Sequence, residues 1–254
     1  MSKASATTIP KPLTANFEIP RAVLFDAYGT LFDVYGISGV AEELFPGHGP
    51  ALAVLWRDKQ IEYTRLVTTC NLGAHYQPFW ELTRSALVYA IKSIVVPAQP
   101  AGASGLFDTE IDRLMNQYRH LSAFPDGRQV LSELKAQGIV TGILSNGEPG
   151  MINMAVSSAG LEGLLDHVIS VDAVRKYKTH PEAYALGEQV TGLPASQIVF
   201  VSCNAWDALG ATWYGYQTLW VNRYHVPFEE LGTLPTYTGS SLSDVLPLFP
   251  SSPL

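Results

Sequence analysis

Five short apolar runs govern what this chain can fold into: Ala22–Phe25, Ile139–Leu144, His167–Ser170, Ile198–Val201 and Thr218–Val221. Each is continuous where a half-exposed strand would alternate, the pattern of a strand covered on both faces. Helix-length segments separate the last four runs. Gly150–Ala159 follows Ser145-Asn146-Gly147, Pro181–Val190 opens on a proline suited to a first turn, and Ala205–Tyr214 stands behind Asn204, a good N-cap residue. Strands alternating with helices define βαβ units and a parallel sheet, so the fold class expected is α/β with a Rossmann-like core.

Between the first two runs the pattern changes. Pro50–Thr69 carries apolar residues at Leu52, Leu55, Trp56, Ile61, Tyr63, Leu66 and Val67, and Pro78–Ile94 and Asp108–Tyr118 are also helical in pattern. An inserted helical cap domain after the first strand accounts for this. The expected division is a loose leader at 1–20, a core formed by 21–33 with 122–231, a cap at 34–121 and a Pro/Ser/Thr-rich tail at 232–254. Linkers fall near Asp33–Gly36 and Ala123-Phe124-Pro125, Pro97–Gly105 is a flexible connection inside the cap, and Leu242–Leu248 suits one short closing helix.

The 254 residues carry a formal net charge of −7 with no run of Lys or Arg, which speaks against nucleic acid or an anionic membrane surface as partner. No apolar stretch is long enough to span a bilayer, and the first twenty residues lack a secretory core. Cys70 and Cys203 form no CxxC pair, so reduced thiols in a cytoplasmic protein are expected. The six histidines show no ligand spacing, and there is neither a Walker loop nor a GxSxG elbow, so neither metal nor cofactor is assigned.

In open parallel sheets ligands bind beyond the carboxyl ends of the strands, near a change of strand order. Those positions hold Asp26-Ala27-Tyr28-Gly29-Thr30 after the first run, Ser145-Asn146 after the second, Lys178 after the third and Ser202 to Asp207 after the fourth. Two carboxylates, a lysine and several hydroxyl or amide groups thus converge on one edge.

These residues carry a resemblance. Phe25-Asp26-Ala27-Tyr28-Gly29-Thr30-Leu31-Phe32-Asp33 resembles the first motif of the haloacid dehalogenase superfamily, and more narrowly that of the L-2-haloacid dehalogenases. The likeness continues in family order through Trp56–Thr64, Leu144–Gly147, Val174–Lys178 and Val201–Asp207, covering about Arg21 to Tyr224. Most of the superfamily are magnesium-dependent phosphatases, which carry a second Asp two positions after the nucleophile and a Gly-Asp pair in the last motif. Here Tyr28 and Ser202-Cys203 stand instead. A hard divalent cation wants several oxygen ligands, so two absent carboxylates argue against metal and phosphoryl transfer. A departing halide needs no proton, so a missing general acid is no handicap for dehalogenation.

The resemblance implies hydrolysis of a short L-2-haloacid to a D-2-hydroxyacid. Asp26 is the expected nucleophile, attacking C2 to form an aspartyl ester with inversion. Lys178 would compensate its charge, and Arg57, carried by the cap, would receive the halide. Ser145 and Asn146, with backbone donors near Ala27 and Tyr28, would hold the substrate carboxylate. Water would then attack the ester carbonyl, with Asp207, Asn204 and Ser202 orienting or deprotonating it, Asp207 and Lys178 as the relay pair, and Thr30 bonding Asp26 or the oxyanion. The resemblance also implicates Tyr28 and Tyr184 near the substrate, Trp206 with Phe79 or Trp80 in an apolar pocket, and a homodimer. The sequence departs from the family pattern at Thr179-His180, where Pro-Asp is usual, at Cys203, which reads as a small filler, and in the long 97–105 connection.

Two alternatives remain at this level. A phosphatase or phosphonatase would need magnesium, and the latter a cap lysine, for which Lys59 and Lys92 are the candidates. A silent binding protein of the same fold is the other. Asp33 reads most simply as a cap for the first inserted helix.

Overall fold

A computed structural model describes residues 18–98 and 107–249. Most of the 1–20 leader, most of the 97–105 connection and residues 250–254 lie outside the described residues. The strands are β1 (Ala22–Phe25), β2 (Val140–Ser145), β3 (His167–Ser170), β4 (Ile198–Ser202), β5 (Gln217–Val221) and β6 (Tyr237–Gly239). All pair parallel, in the order β3-β2-β1-β4-β5-β6. Ala22, Val23, Leu24 and Phe25 are fully buried, as expected of a central strand covered on both faces. The strand order reverses beside β1, so the crevice between the ends of β1 and β4 is the expected ligand position.

The inserted segment folds into α1 (Ser38–Leu44), α2 (Gly49–Thr69), α3 (Phe79–Ile94) and α4 (Asp108–Arg119). Helix α2 buries Leu52, Ala53, Trp56, Arg57, Gln60, Thr64 and Thr68 on one stripe. Trp56, fully enclosed, donates from Nε1 to Thr83 O at 2.8 Å and so locks α2 to α3. Replacing it by Ala would cost about 3–5 kcal/mol. Helix α1 is absent from the expectations above because only Ala41 is buried on it, leaving no apolar stripe to read. The two linkers meet: Phe32 bridges to Ala123, Asp33 N donates to Ser122 O and Phe124 N to Leu31 O. Asp33 accepts from Tyr35 N at 2.9 Å and caps the short 3-10 turn Val34–Ile37.

After the insertion come α5 (Gly127–Ala136), α6 (Pro149–Ser158), α7 (Pro181–Thr191) and α8 (Ala205–Tyr214). Proline opens α6 and α7, where its missing N–H costs nothing. His180 caps α7 by accepting from Glu182 N, filling the capping role that an Asp would fill there. Asn204 occupies the N-cap position of α8 but its side chain makes no cap bond, being drawn instead to Asp26.

The segment read as a tail needs correction, because it supplies β6 beside β5 and buries Leu242, Val245 and Phe249 against the core. A three-residue strand flanked by Thr and Pro gives too little periodicity to read. Leu242–Leu248 is a 3-10 helix, with Pro247 inside it and Ser241 and Asp244 forming a capping box.

Candidate active site

Asp26 follows β1 directly and is 5% exposed. Its Oδ2 accepts from Thr30 Oγ1 at 3.1 Å and Asn204 Nδ2 at 2.7 Å, while Oδ1 accepts from Lys178 Nζ at 3.1 Å. Lys178, 1% exposed, reaches the site from the loop after β3 and also donates to Asp207 Oδ2 at 2.9 Å. One ammonium therefore bridges two buried carboxylates from β1 and α8. Its own N–H donates to Asn146 Oδ1 at 3.0 Å. That bond occupies the Asn146 carbonyl oxygen and leaves the amide NH₂ for the cavity that Asn146 lines.

Burial pushes the Asp207 carboxyl up to about 6; Lys178 and the Tyr184 hydroxyl bond pull it down, and Asp26 pushes it up. Tyr184 was expected beside the substrate, but its hydroxyl donates to Asp207 Oδ1 at 2.8 Å and the ring packs on Phe200, Tyr214 and Tyr216. It orients Asp207 and does not line the cavity. Gly210 makes this possible, since a Cβ there would stand 2.6 Å from the Tyr184 hydroxyl.

A small cavity lies above Asp26, lined by Asp26, Tyr28, Asn146 and Trp206 from one side and by Arg57, Ile61, Thr64 and Phe79 from the insertion helices. Arg57 Nη2 donates to Tyr28 O at 3.0 Å and Asn204 Oδ1 at 3.4 Å, and Nη1 to Gln60 Oε1 at 2.7 Å. Asn204 thus touches both Asp26 and Arg57. Tyr28 stacks on Tyr118 and packs on Phe79, and burial holds its phenol well above the usual range, so it stays a neutral donor. Among the described residues no protein acceptor takes the Ala27 or Tyr28 backbone N–H, which leaves both donors at the strand end for a ligand.

Other expected residues sit close by without lining the cavity. Ser145 Oγ accepts from Gly147 N and shapes the turn after β2. Ser202 Oγ accepts from Asn204 N and holds the start of α8. Trp80, expected in the pocket, instead carries Arg119 on its ring. Cys203 is a filler whose thiol burial pushes up to about 11, too high for a nucleophile at neutral pH. Lys59 pairs with Glu62 at 2.7 Å and lies over the Tyr89 ring, so it does not serve as a lysine in the cavity. No group of three His, Cys, Asp or Glu side chains gathers among the described residues.

Gln60, Ile61 and Thr64 lie inside the Trp56–Thr64 block but are not assigned to the site by sequence. The available signal is their spacing, one turn (Gln60, Ile61) and two turns (Thr64) from Arg57 along α2.

A buried carboxylate behind the central strand, at the switch of a 3-2-1-4-5-6 sheet and roofed by inserted helices, defines a class. The family model for haloacid dehalogenase-like hydrolases matches residues 20–215, and the chain belongs to that family. Within it the chain falls among the L-2-haloacid dehalogenases. A haloacetate dehalogenase of Moraxella sp. (strain B) is 42% identical over 218 residues, which are 86% of this chain and 92% of that protein. A solved L-2-haloacid dehalogenase superposes with a TM-score of 0.85 at 51% identity, covering 91% of this chain and 99% of the other. The L-2-haloacid dehalogenase of Xanthobacter autotrophicus, solved with chloropropionic acid covalently bound, gives a TM-score of 0.78 at 33% identity over 90% and 98% of the two chains.

Proposed function

We propose that this protein hydrolyses short L-2-haloalkanoic acids to D-2-hydroxyacids through an ester on Asp26, with inversion at C2 and no metal. One observation carries the reading: a carboxylate held by three donors, one of them an ammonium, shares a small enclosed cavity with a guanidinium from the insertion. Covalent chloropropionic acid in the Xanthobacter relative supports the ester.

In the first step a lone pair of Asp26 forms the O–C2 bond as the carbon–halogen bond breaks and its electron pair leaves with the halide. Exclusion of water leaves the carboxylate poorly solvated and the Arg57 charge unscreened, and both favour this displacement. Arg57 receives the halide. The Asn146 amide and the free N–H groups of Ala27 and Tyr28 hold the substrate carboxylate, with Ser145 fixing the turn that presents Asn146. Phe79 and Trp206 form the apolar wall.

In the second step water attacks the ester carbonyl carbon as Asp207, paired with Lys178, takes its proton; the bond between that carbon and the substrate oxygen then breaks, the departing alkoxide takes the proton back from Asp207 and leaves as hydroxyacid, and Asp26 releases its remaining proton to solvent. Thr30 and Asn204 stabilise charge on the Asp26 oxygens, Ser202 holds Asn204 in place and Tyr184 holds Asp207. No step needs a metal, because the leaving group departs unprotonated and the cationic position between the carboxylates belongs to Lys178.

The division into a core of 21–33 with 122–231 and a cap of 34–121 is part of this reading, with halide capture coupled to cap position through Arg57. We also assign a homodimer, supported by the exposed Val54, Leu66 and Tyr89 on cap helices, and a cytoplasmic location, supported by the exposed unpaired Cys70. No helix among the described residues is long and apolar enough to cross a membrane.

The test is halide release from the separate enantiomers of 2-chloropropionate with EDTA present. Chloride and D-lactate from the L enantiomer alone are expected. Phosphate release from monoesters that requires magnesium, with no halide release, would replace this reading by the phosphatase one.

A further inference from the structure

Arg57 has no carboxylate partner among the described residues. A guanidinium only 9% exposed is instead held by three neutral acceptors, Gln60 Oε1, Tyr28 O and Asn204 Oδ1. Buried cations are ordinarily paired with acids, because taking an isolated charge from water is costly. An acid here would neutralise the charge that has to attract an anion. Gln60 holds the guanidinium by a strong bond and adds no charge of its own.

Gln60 is itself fixed on every side. It is 1% exposed, and its Nε2 donates to Thr83 Oγ1 at 2.7 Å and to Tyr118 Oη at 3.1 Å. The Thr83 hydroxyl donates to Phe79 O at 2.7 Å, so its oxygen faces Gln60 as an acceptor. A hydroxyl has one proton, which settles the amide: NH₂ towards Thr83 and the carbonyl oxygen towards Arg57. The relay runs from the backbone of Phe79, itself a cavity wall, through Thr83 and Gln60 to Arg57. It ties three helices of the insertion, α2, α3 and α4, to one cation.

We propose that Gln60 is a positioning residue for the first half-reaction: a neutral acceptor, oriented by Thr83, that aims the Arg57 guanidinium at the departing halide while leaving its charge uncompensated. This rests on the reading of Arg57 given above. The ester-forming step, in which the carbon–halogen electron pair leaves with the halide, depends on that charge. Ester hydrolysis, in which no halide remains, does not.

The two half-reactions separate the inference from a structural role. Wild-type enzyme is mixed with L-2-chloropropionate and quenched, and the ester on the Asp26 peptide is followed by mass. If wild type forms no ester and no chloride, the functional reading itself fails. If it does, Gln60→Glu, which keeps the shape and adds a charge, should slow ester formation at least about tenfold and weaken inhibition by added chloride at least about fivefold. Hydrolysis of the ester should stay within about twofold of wild type.

Thr83→Val, which frees the amide to turn, should show a smaller loss confined to the same step, and Thr83→Ser should restore it. These outcomes together carry the proposal. Equal loss in both half-reactions, unchanged chloride inhibition in Gln60→Glu, or a Thr83→Ser variant as slow as Thr83→Val would overturn it. Thr83 variants keep the test available if Gln60→Glu does not fold.

Discussion

Lys178 Nζ stands 3.1 Å from Asp26 Oδ1 in a pair almost sealed from water, with the lysine side chain 0% and the aspartate 8% exposed. The same ammonium holds Asp207 at 2.9 Å, so it offsets two buried negative charges at once. Lys178→Met should therefore slow ester formation by a factor of about 10² or more and cost about 3–5 kcal/mol of stability at neutral pH. Lys178 lowers the Asp207 pKa, so its loss leaves that buried carboxyl further above its unfolded value. A group raised in this way favours the folded state more as pH falls, so the variant gains stability on acidification. Melting temperature against pH checks the sign: the deficit relative to wild type narrows from pH 8 to pH 5.

In the proposed mechanism Asp207 supplies the pH dependence of the second step. Burial pushes it up to about 6, and it accepts a proton only when ionised. Ester hydrolysis should fall as pH drops below about 6 and Asp207 takes up a proton. At pH 5 the ester should accumulate, and Asp207→Asn should abolish both hydrolysis and its acid limb. Quenched-flow mass analysis of the Asp26 peptide across pH reads this directly.

Tyr184→Phe removes the hydroxyl bond to Asp207 Oδ1 and keeps the ring among Phe200, Tyr214 and Tyr216. That bond lowers the Asp207 pKa, so its loss should move the acid limb to higher pH. The stability cost should be about 1–3 kcal/mol, because a buried carboxylate oxygen loses a donor. Gly210→Ala should be worse, since its Cβ would meet the Tyr184 hydroxyl and the Thr179 side chain at 2.6 and 2.7 Å. Chemical denaturation ranks the two variants.

The residues that sequence and structure both place together at the sheet edge are those directly behind strands. Asp26, Thr30, Asn204 and Asp207 follow β1 and β4, whose apolar runs are unmistakable, and the sheet brings such positions together whatever the helices do. Lys178 follows the same rule after β3. Side-chain direction was harder. Tyr184 lies on α7 at a plausible substrate position, yet a tyrosine reaching a buried carboxylate and one reaching a ligand share the same spacing. Asn204 is a good N-cap residue whose side chain is claimed by a stronger, charged partner. The hydrogen bonds of Gln60 to Thr83 and Tyr118 join three inserted helices, and no local pattern encodes such partners. Strand β6 was missed because its pairing with β5 supplies what its three residues lack.

Polar contacts besides those of Arg57 join the insertion to the rest of the chain. Trp80 N donates to Glu148 Oε2 at 2.8 Å, Tyr76 Oη to Asp172 Oδ1 at 2.5 Å, Tyr177 Oη to Gln77 O at 2.6 Å and Tyr177 N to Thr68 Oγ1 at 3.1 Å. Glu148→Ala removes the only one of these that involves the first turn of α3, beside Phe79. Such a contact stabilises the closed form, so KM should rise about three- to tenfold with ester chemistry in the bound state little changed. Steady-state and single-turnover rates on the same preparation check this.

In the proposed mechanism Asp26, not water, attacks C2 of the substrate. A single turnover of L-2-chloropropionate in H₂¹⁸O, with enzyme in excess and EDTA present, separates the two routes. Water that opens the ester at its carbonyl carbon leaves its oxygen on the enzyme, so the first lactate should carry no ¹⁸O and the Asp26 peptide should gain one labelled oxygen. Label in the first-turnover lactate, with Asp26 unlabelled, would contradict the account.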